Sequence, residues 1–372
     1  MYYHYKMNKL IFKLFYNANS QLRQYGRICG IKNYRTKVCG IKPIIFNKNI
    51  FFIISIAFLV VLSGGCGQIT GDAAKEIPKE NARNPEIYFC PREDCGKVYE
   101  SNIKLANSTV HCALYDINLK NVISSLAQKS KTIDVKVVMD ASNDKGQIKG
   151  GGVRFNGGQK QLMHNKFCVI DGYTVLTGSF NPTENDNYRN NNNVEVIYST
   201  TLANNYEEEF GELWNGKFGT GSKVKNPALY INDMEIENYF CPEDSCASHI
   251  ANLINSADSS VYFMSYSFTS EKIAEAIIKK KGLDIRGIFD AEQSSSKFSQ
   301  LKRLQGFGIN AKKDRNKYKM HHKVFIIDNE TVATGSFNPT SSADTRNDEN
   351  MLIIHDKNIA KHFLEEFDSL WN

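Results

Sequence analysis

The chain has 372 residues, 41% of them hydrophobic and 23% charged, with a formal net charge of +6. Its first 71 residues hold ten Lys or Arg and no Asp or Glu, so the remainder carries a formal −4, which excludes a uniformly basic body. Without that tail roughly 300 residues remain, enough for two domains of ordinary size, each with its own core.

Residues 1–49 form a basic N-terminal segment, and residues 50–71 carry no charge. Ile50 to Leu62 is apolar apart from Ser55; these thirteen residues suit a signal-peptide core better than a membrane span, which needs about 20. The whole uncharged stretch still allows an anchor. In either case the basic flank predicts a body outside the cytoplasm, with the membrane contacted through the N-terminal segment. The sequence "LSGGC" resembles a bacterial lipoprotein cleavage site with Cys66 as the lipidated residue, although its Leu stands four residues ahead of the Cys instead of three. Forty-nine residues ahead of the apolar run are long for a signal peptide. A start codon placed too early explains that length, with a transit peptide as the lesser alternative.

From Glu86 the pattern alternates strands and helices. The unit "YFCPREDC" (Tyr88 to Cys95) precedes a partly apolar stretch (Ile103 to Ala106), and the strand-like "STVHCALYDI" precedes a helical run, Asn118 to Gln128. The strand "IDVKVVMD" ends in Asp140. The glycine-rich Gly150 to Gly158 reads as a flexible loop entering the site in preference to a phosphate loop, because no lysine motif or helix start follows it. Then come a short strand (Phe167 to Asp171), an edge (Val175 to Thr177), a further strand (Val194 to Tyr198) and a closing helix that carries Trp214. Residues 86–215 form the first half. Residues 216–237, starting with "GKFGTGSKVKNP", read as a linker. Residues 238–372 repeat the order: "YFCPEDSC" (Tyr239 to Cys246), a helical run from Ser270 to Lys281, a strand ending in Asp290, and a last helix with Trp371. The predicted fold class is α/β: two similar halves, each a mixed sheet flanked by helices.

The repeat is sharpest at "HNKFCVIDGYTVLTGSFNPT" (His164 to Thr183) and "HHKVFIIDNETVATGSFNPT" (His321 to Thr340), which superpose without a gap on a shift of 157 residues. A period this long describes two domain-sized halves and not a solenoid. His164, Lys166, Asp171, Ser179 and Asn181 thus recur as His321, Lys323, Asp328, Ser336 and Asn338. Two imidazoles, two ammoniums and paired amides and hydroxyls are what a two-histidine phosphodiester-cleaving site needs. Cys90, Cys95, Cys241 and Cys246 form twin CPxxxC units. After export a local disulfide in each half is the first reading, with a four-thiolate zinc site or free thiols as alternatives. Cys112 and Cys168 read as core residues. His322, beside His321, faces the other way by alternation.

HxKxxxxD followed by GSxN, twice in one chain, resembles the phospholipase D superfamily, near its compact endonuclease and cardiolipin-hydrolase members. The resemblance covers roughly Glu86 to Asn372. It implies two phospholipase D-type halves related by a pseudo-twofold axis, one active site at their junction, a monomer with a pseudo-dimeric site, and no cofactor or metal. It further implies that one histidine attacks phosphorus to give a phosphohistidine and the other protonates the leaving alcohol, then activates water. Lys166, Lys323, Asn181 and Asn338 would hold the non-bridging oxygens, with Ser179 and Ser336 as further donors. Asp171 and Asp328 would be structural. The family also places a Glu beyond GSxN against the histidine ring; Glu349 lies 28 residues after His321, while the same offset from His164 lands on Asn192. Glu195 would serve only after a register slip of three. With Glu349 taken to lie beside His321, a carboxylate favours the imidazolium, so His321 is expected as the general acid and base and His164 as the nucleophile.

The expected partners are phospholipid or nucleic acid. The basic run Lys312 to Lys319 favours a polyanion, while a tail at the membrane favours lipid. A phosphatidyl-transferring enzyme and an inert phosphate-binding module remain as alternatives.

Overall fold

Apolar residues run through both motif strands without polar interruption, and this continuity requires sheets covered on both faces. The computed structural model describes residues 76–372 except Lys149, Gly151 and Gln159, so the segments 1–49 and 50–71, with Cys66, lie outside the described residues. Chain order in the first half is β1 (Lys79–Glu80), β2 (Glu86–Cys90), α1 (Cys95–Leu105), β3 (Thr109–Leu114), α2 (Lys120–Lys129), β4 (Asp134–Met139), β5 (Val153–Phe155), β6 (Lys166–Ile170), β7 (Thr174–Gly178), α3 (Glu184–Tyr188), β8 (Asn192–Tyr198) and α4 (Thr200–Trp214). The chain continues through β9 (Ala228–Ile231), β10 (Met234–Cys241), α5 (Cys246–Ser256), β11 (Ser260–Ser265), α6 (Glu271–Lys279), β12 (Asp284–Phe289), α7 (Leu301–Gly306), β13 (Asn310–Lys313), β14 (Lys323–Ile327), β15 (Thr331–Gly335), α8 (Ser341–Thr345), β16 (Glu349–His355) and α9 (Lys357–Trp371).

Among the described residues the strands form two sheets. The seven-stranded sheet has the order β2-β8-β7-β6-β3-β4-β5, and the nine-stranded sheet repeats it as β10-β16-β15-β14-β11-β12-β13, with β9 and β1 added beyond β10. In both, the strands entered through a helical crossover (β3 to β4, β11 to β12) pair in parallel, and the motif strands pair antiparallel. Alternation assigns the faces. Phe167 and Val169 of β6, with Val324 and Ile326 of β14, enter one shared core that also takes Tyr206 and Phe210 of α4 and Phe363 and Phe367 of α9. Cys168 and Ile170 face a second core under α1 and α2, and Phe325 and Ile327 face a third under α5 and α6. The closing helices therefore pack into the core that joins the halves. Each starts at a capping side chain: Ser199 accepts from Leu202 N–H, and Asp356 from Asn358 and Ile359 N–H.

Several expectations are corrected. The segment 216–237 is irregular only as far as Pro227, since Ala228–Ile231 and the start of β10 form an antiparallel pair whose alternate residues Leu229, Ile231 and Ile236 are buried. Lys79–Glu80, ahead of the expected start of the first half, pairs with that hairpin in the second half's sheet. Val175 to Thr177 and Val332 to Thr334 lie inside their sheets and not at an edge, because β8 and β16 cover them. Val153–Phe155, inside the expected glycine-rich loop, is a strand beside β4, outside the residues that line the cleft described below. Cys112 and Cys168 are not simply core thiols: they sit opposite each other on β3 and β6 and form a disulfide. Disulfides also join Cys90 to Cys95 and Cys241 to Cys246.

Candidate active site

The site begins with two hairpin turns. Asp171 and Gly172 (φ 53° and 60°), like Asp328 and Asn329 (φ 53° and 55°), occupy the left-handed region that a two-residue turn matched to strand twist requires. Each Asp carboxylate also accepts from three successive N–H groups: Asn107, Ser108 and Thr109 at Asp171, and Asp258, Ser259 and Ser260 at Asp328. Although desolvation opposes it, these donors lower the Asp171 carboxyl to about 2. The motif aspartates thus build the hairpins and stand outside the cleft. Gly178 and Gly335, at φ 131° and 140°, have no room for a Cβ, which would meet the carbonyl oxygens of Asn193 and Asn350.

The histidines lie immediately ahead of β6 and β14, where the opposite half clamps the backbone. Met163 bridges to Asp348 and Met320 to Asn191. His164 N–H donates to the Asp348 carbonyl at 3.0 Å and His321 N–H to the Asn191 carbonyl at 2.7 Å. Within each half, Asp140 and Asp290 fix the same segment by accepting from Met163 N–H at 2.9 Å and Met320 N–H at 3.1 Å. The acids that end β4 and β12 therefore set where the imidazoles stand.

Two residues on, strand periodicity returns a lysine to the histidine's face. Lys166 Nζ donates to the His164 carbonyl at 2.7 Å, and Lys323 Nζ to the His321 carbonyl at 2.6 Å. Both lysines are buried. Tyr115 lies edge-on to His164 at 4.7 Å with Lys166 over its ring at 4.9 Å, and Tyr266 repeats this with His321 at 4.9 Å and Lys323 at 5.1 Å. Burial, opposed by nearby carboxylates, pushes Lys166 down to about 8. Burial and the neighbouring ammoniums hold both imidazoles well below the ordinary histidine range.

The carboxylate is where expectation and structure part. Glu349 Oε2 meets His164 Nδ1 at 2.8 Å, not His321. Asp348, immediately before it, is carried across the junction by its bridge to Met163, and this crossing takes Glu349 to the other half's imidazole. Burial raises Glu349 to about 8, against the lowering pull of Lys166, Ser336 and Lys323. Ser336 Oγ donates to Glu349 Oε2 at 2.6 Å, and Ser179 Oγ to Asn193 Oδ1 at 2.8 Å. Both serines are fully buried behind the histidines instead of facing the cleft, because the GSxN strand ends turn them inward. Nor does Asn192 approach His164: its Nδ2 donates to the carbonyls of Asp186 at 2.9 Å and Asn190 at 2.8 Å. His321 Nδ1 instead faces Asp186 Oδ2 at 3.5 Å. Glu195 is buried between the halves, where Asn193 Nδ2 and Thr334 Oγ1 donate to it. His322 faces away from the site, with Nδ1 at 2.8 Å from Asn193 Oδ1.

These groups line one cleft of about 610 Å³ in which His164, Asn181 and Asp186 meet His321, Asn338 and Glu349. Lys317, Tyr318 and Lys319 bring the end of the basic run to the same opening. Sequence reasoning missed Tyr115, Tyr266 and Asp186. The tyrosines carried a usable signal, since they directly follow the corresponding strands β3 and β11 at the same distance from the CPxxxC unit; Asp186 carried none, because Ala343 stands at its repeat position.

Comparison with known proteins matches both halves to one domain family. The family model described as "Cardiolipin synthase, PLD-like domain" matches residues 99–214 and again 250–371. A phospholipase D of Rickettsia felis is 34% identical over 163 residues, 42% of this chain and 82% of that protein. A mitochondrial cardiolipin hydrolase of Mus musculus is 32% identical over 130 residues, 34% of this chain and 59% of its own length. The solved phosphatidylserine synthase of Haemophilus influenzae superposes with a TM-score of 0.57 at 13% identity, covering 76% of this chain and 85% of that one, a likeness of fold. With its phospholipase D-like domain matched in both halves around a shared histidine-lysine cleft, the chain belongs to the phospholipase D superfamily.

Proposed function

We propose that the protein hydrolyses phosphodiesters through a phosphohistidine on His164. The observation that carries this is the pairing of His164 and His321, one from each half, in a single cleft backed by Lys166 and Lys323. With Glu349 on Nδ1–H, His164 presents the Nε2 lone pair for in-line attack. The imidazole becomes cationic as the P–N bond forms, and the carboxylate stabilises that cation. The role expected for His164 thus stands on a different ground: Glu349 marks the nucleophile and not the acid. His321 protonates the leaving alcohol and afterwards takes a proton from the water that releases phosphate. Before substrate arrives, burial and two ammoniums keep both imidazoles neutral. A phosphodiester anion offsets that repulsion, so the proton on His321 comes with binding. Asn181 and Asn338, whose amides line the cleft, hold the non-bridging oxygens with the lysines.

Protein side chains supply nucleophile, acid and electrostatics, so turnover of a chromogenic phosphodiester should survive excess chelator; loss on EDTA treatment, restored by one divalent ion, contradicts the mechanism. Phospholipid is the first substrate reading, supported by the relatives' names and by the N-terminal apolar segment, which we read as export or anchoring with the body outside the cytoplasm. Nucleic acid is the second, favoured by Lys317 and Lys319 at the cleft and by Arg189 stacked over Tyr318 at 5.5 Å. Vesicles of phosphatidylcholine or cardiolipin against plasmid and single-stranded DNA separate the two. A transferase shows itself by product formation that needs a second alcohol, and an inert phosphate-binding module by no turnover on any of these.

A further inference from the structure

The two histidines are backed differently. His164 Nδ1 has Glu349 at 2.8 Å, whereas His321 Nδ1 is a buried atom without a hydrogen-bond partner among the described residues. The position that repeats Glu349 is Asn192, whose Oδ1 is also buried and unpartnered. A buried imidazole that must carry a proton needs an anion nearby. The second half satisfies this with Glu349 and has Ala343 on the short helix α8; the first half has Asn192 and places Asp186 at the Ala343 position on α3. The exchange is reciprocal. Resting on the phosphodiesterase reading above, we propose that Asp186 is the positioning carboxylate of His321, replacing across the repeat the glutamate that the first half lacks.

Asp186 is 3% exposed and tightly held. Its Oδ2 accepts from Asn181 N–H at 2.8 Å and from Asn181 Nδ2 at 2.7 Å, and its Oδ1 from Asn190 Nδ2 at 2.6 Å. Asp186 thereby ties a cleft amide and the second imidazole to one anion. At 3.5 Å it attracts the imidazolium without the hydrogen bond that Glu349 makes. The ring of Tyr266 lies edge-on to His321, and Asp116, Glu292 and Glu349 line the same cleft. Burial disfavours the charge on His321 most, and Lys323 and Lys319 from its own segment and Lys166 and His164 from the other half disfavour it too. Asp186 is the carboxylate that opposes them within ion-pair distance. The longer contact suits a proton donor, which must let go, just as the shorter one suits the nucleophile, which stays cationic while phosphorylated.

The test compares Asp186→Asn, which removes the charge and keeps the shape, with Asp186→Ala/Asn192→Glu, which gives the first half the second half's arrangement and leaves Ser179 to support the new carboxylate as Ser336 supports Glu349. Histidine NMR titration with inorganic phosphate bound reads His321 directly, apart from Lys166 and Lys323. Asp186→Asn should lower the His321 titration by about one pH unit, as expected for losing an opposite charge at this range. It should also move the basic limb of the pH–rate profile down, while the double variant restores both. An unchanged His321 titration in Asp186→Asn, or no recovery in a natively folded double variant, overturns the proposal. Turnover by the parent and its loss in His164→Ala judge the phosphodiesterase reading separately.

Discussion

The two halves repeat their backbone contacts more faithfully than their side chains. Met163 meets Asp348 as Met320 meets Asn191, and both lysines reach back to their histidine's carbonyl. Yet the cross-strand disulfide Cys112–Cys168 occupies the register position at which the second half stacks Phe263 on Phe325, with centroids 5.7 Å apart. Likewise Asn165 donates to Glu209 in one half where His322 meets Glu366 in the other. Duplication thus preserves what fixes the main chain and lets side-chain roles be met by other chemistry, as long as the core stays filled.

The comparison breaks most plainly at the histidines. If the halves form one site, His164→Ala and His321→Ala should each lower kcat by about 10³-fold or more, since nucleophile and proton donor act as a unit; a variant that keeps half the activity points to two independent sites. Glu349→Gln should cost about 100-fold, of the order expected for one proton-transfer partner. With the carboxylate gone, the His164 cation is less favoured and its pKa falls, so the acidic limb of the pH–rate profile should move to lower pH. Movement of the basic limb alone would return Glu349 to His321. For stability, the disulfide and the phenylalanine pair should prove comparable. Cys112→Ala/Cys168→Ala opens a loop with a separation of 56 residues, worth about 4 kcal/mol in chain entropy. Phe263→Ala should cost about 3–5 kcal/mol; urea unfolding measures both. The smallest effect concerns Asp348, which burial raises to about 8 and whose Oδ2 has no hydrogen-bond partner among the described residues. A folded pKa above the unfolded one means stability present at low pH and lost as pH rises through 8. Asp348→Asn should therefore match the parent near pH 4 and gain about 1–3 kcal/mol at pH 9, the penalty of an unpaired buried group. A gain confined to low pH contradicts that sign.

Much of this is legible in the sequence because identical residues recur at fixed spacing. The α/β halves, the strand ends at Asp140 and Asp290, and the disulfides of the CPxxxC units follow from local pattern. Partners set by tertiary crossing do not. Glu349 is near His321 along the chain, but the Asp348–Met163 bridge delivers it to His164. Asp186 has no counterpart to draw attention to it, and the Ser179 and Ser336 hydroxyls look like site donors until the strand ends turn them inward. Cys112 and Cys168 are 56 residues apart, and only the β3–β6 register sets them opposite each other. The hairpin at Ala228–Ile231 was hidden by its Gly- and Lys-rich approach.

The division of labour between the halves is tested most directly by trapping the intermediate. Acid- or base-quenched turnover of a phosphodiester, followed by mapping of the phosphorylated peptide, should place phosphate on His164, the imidazole that Glu349 backs at 2.8 Å. Phosphate on His321 would contradict the account.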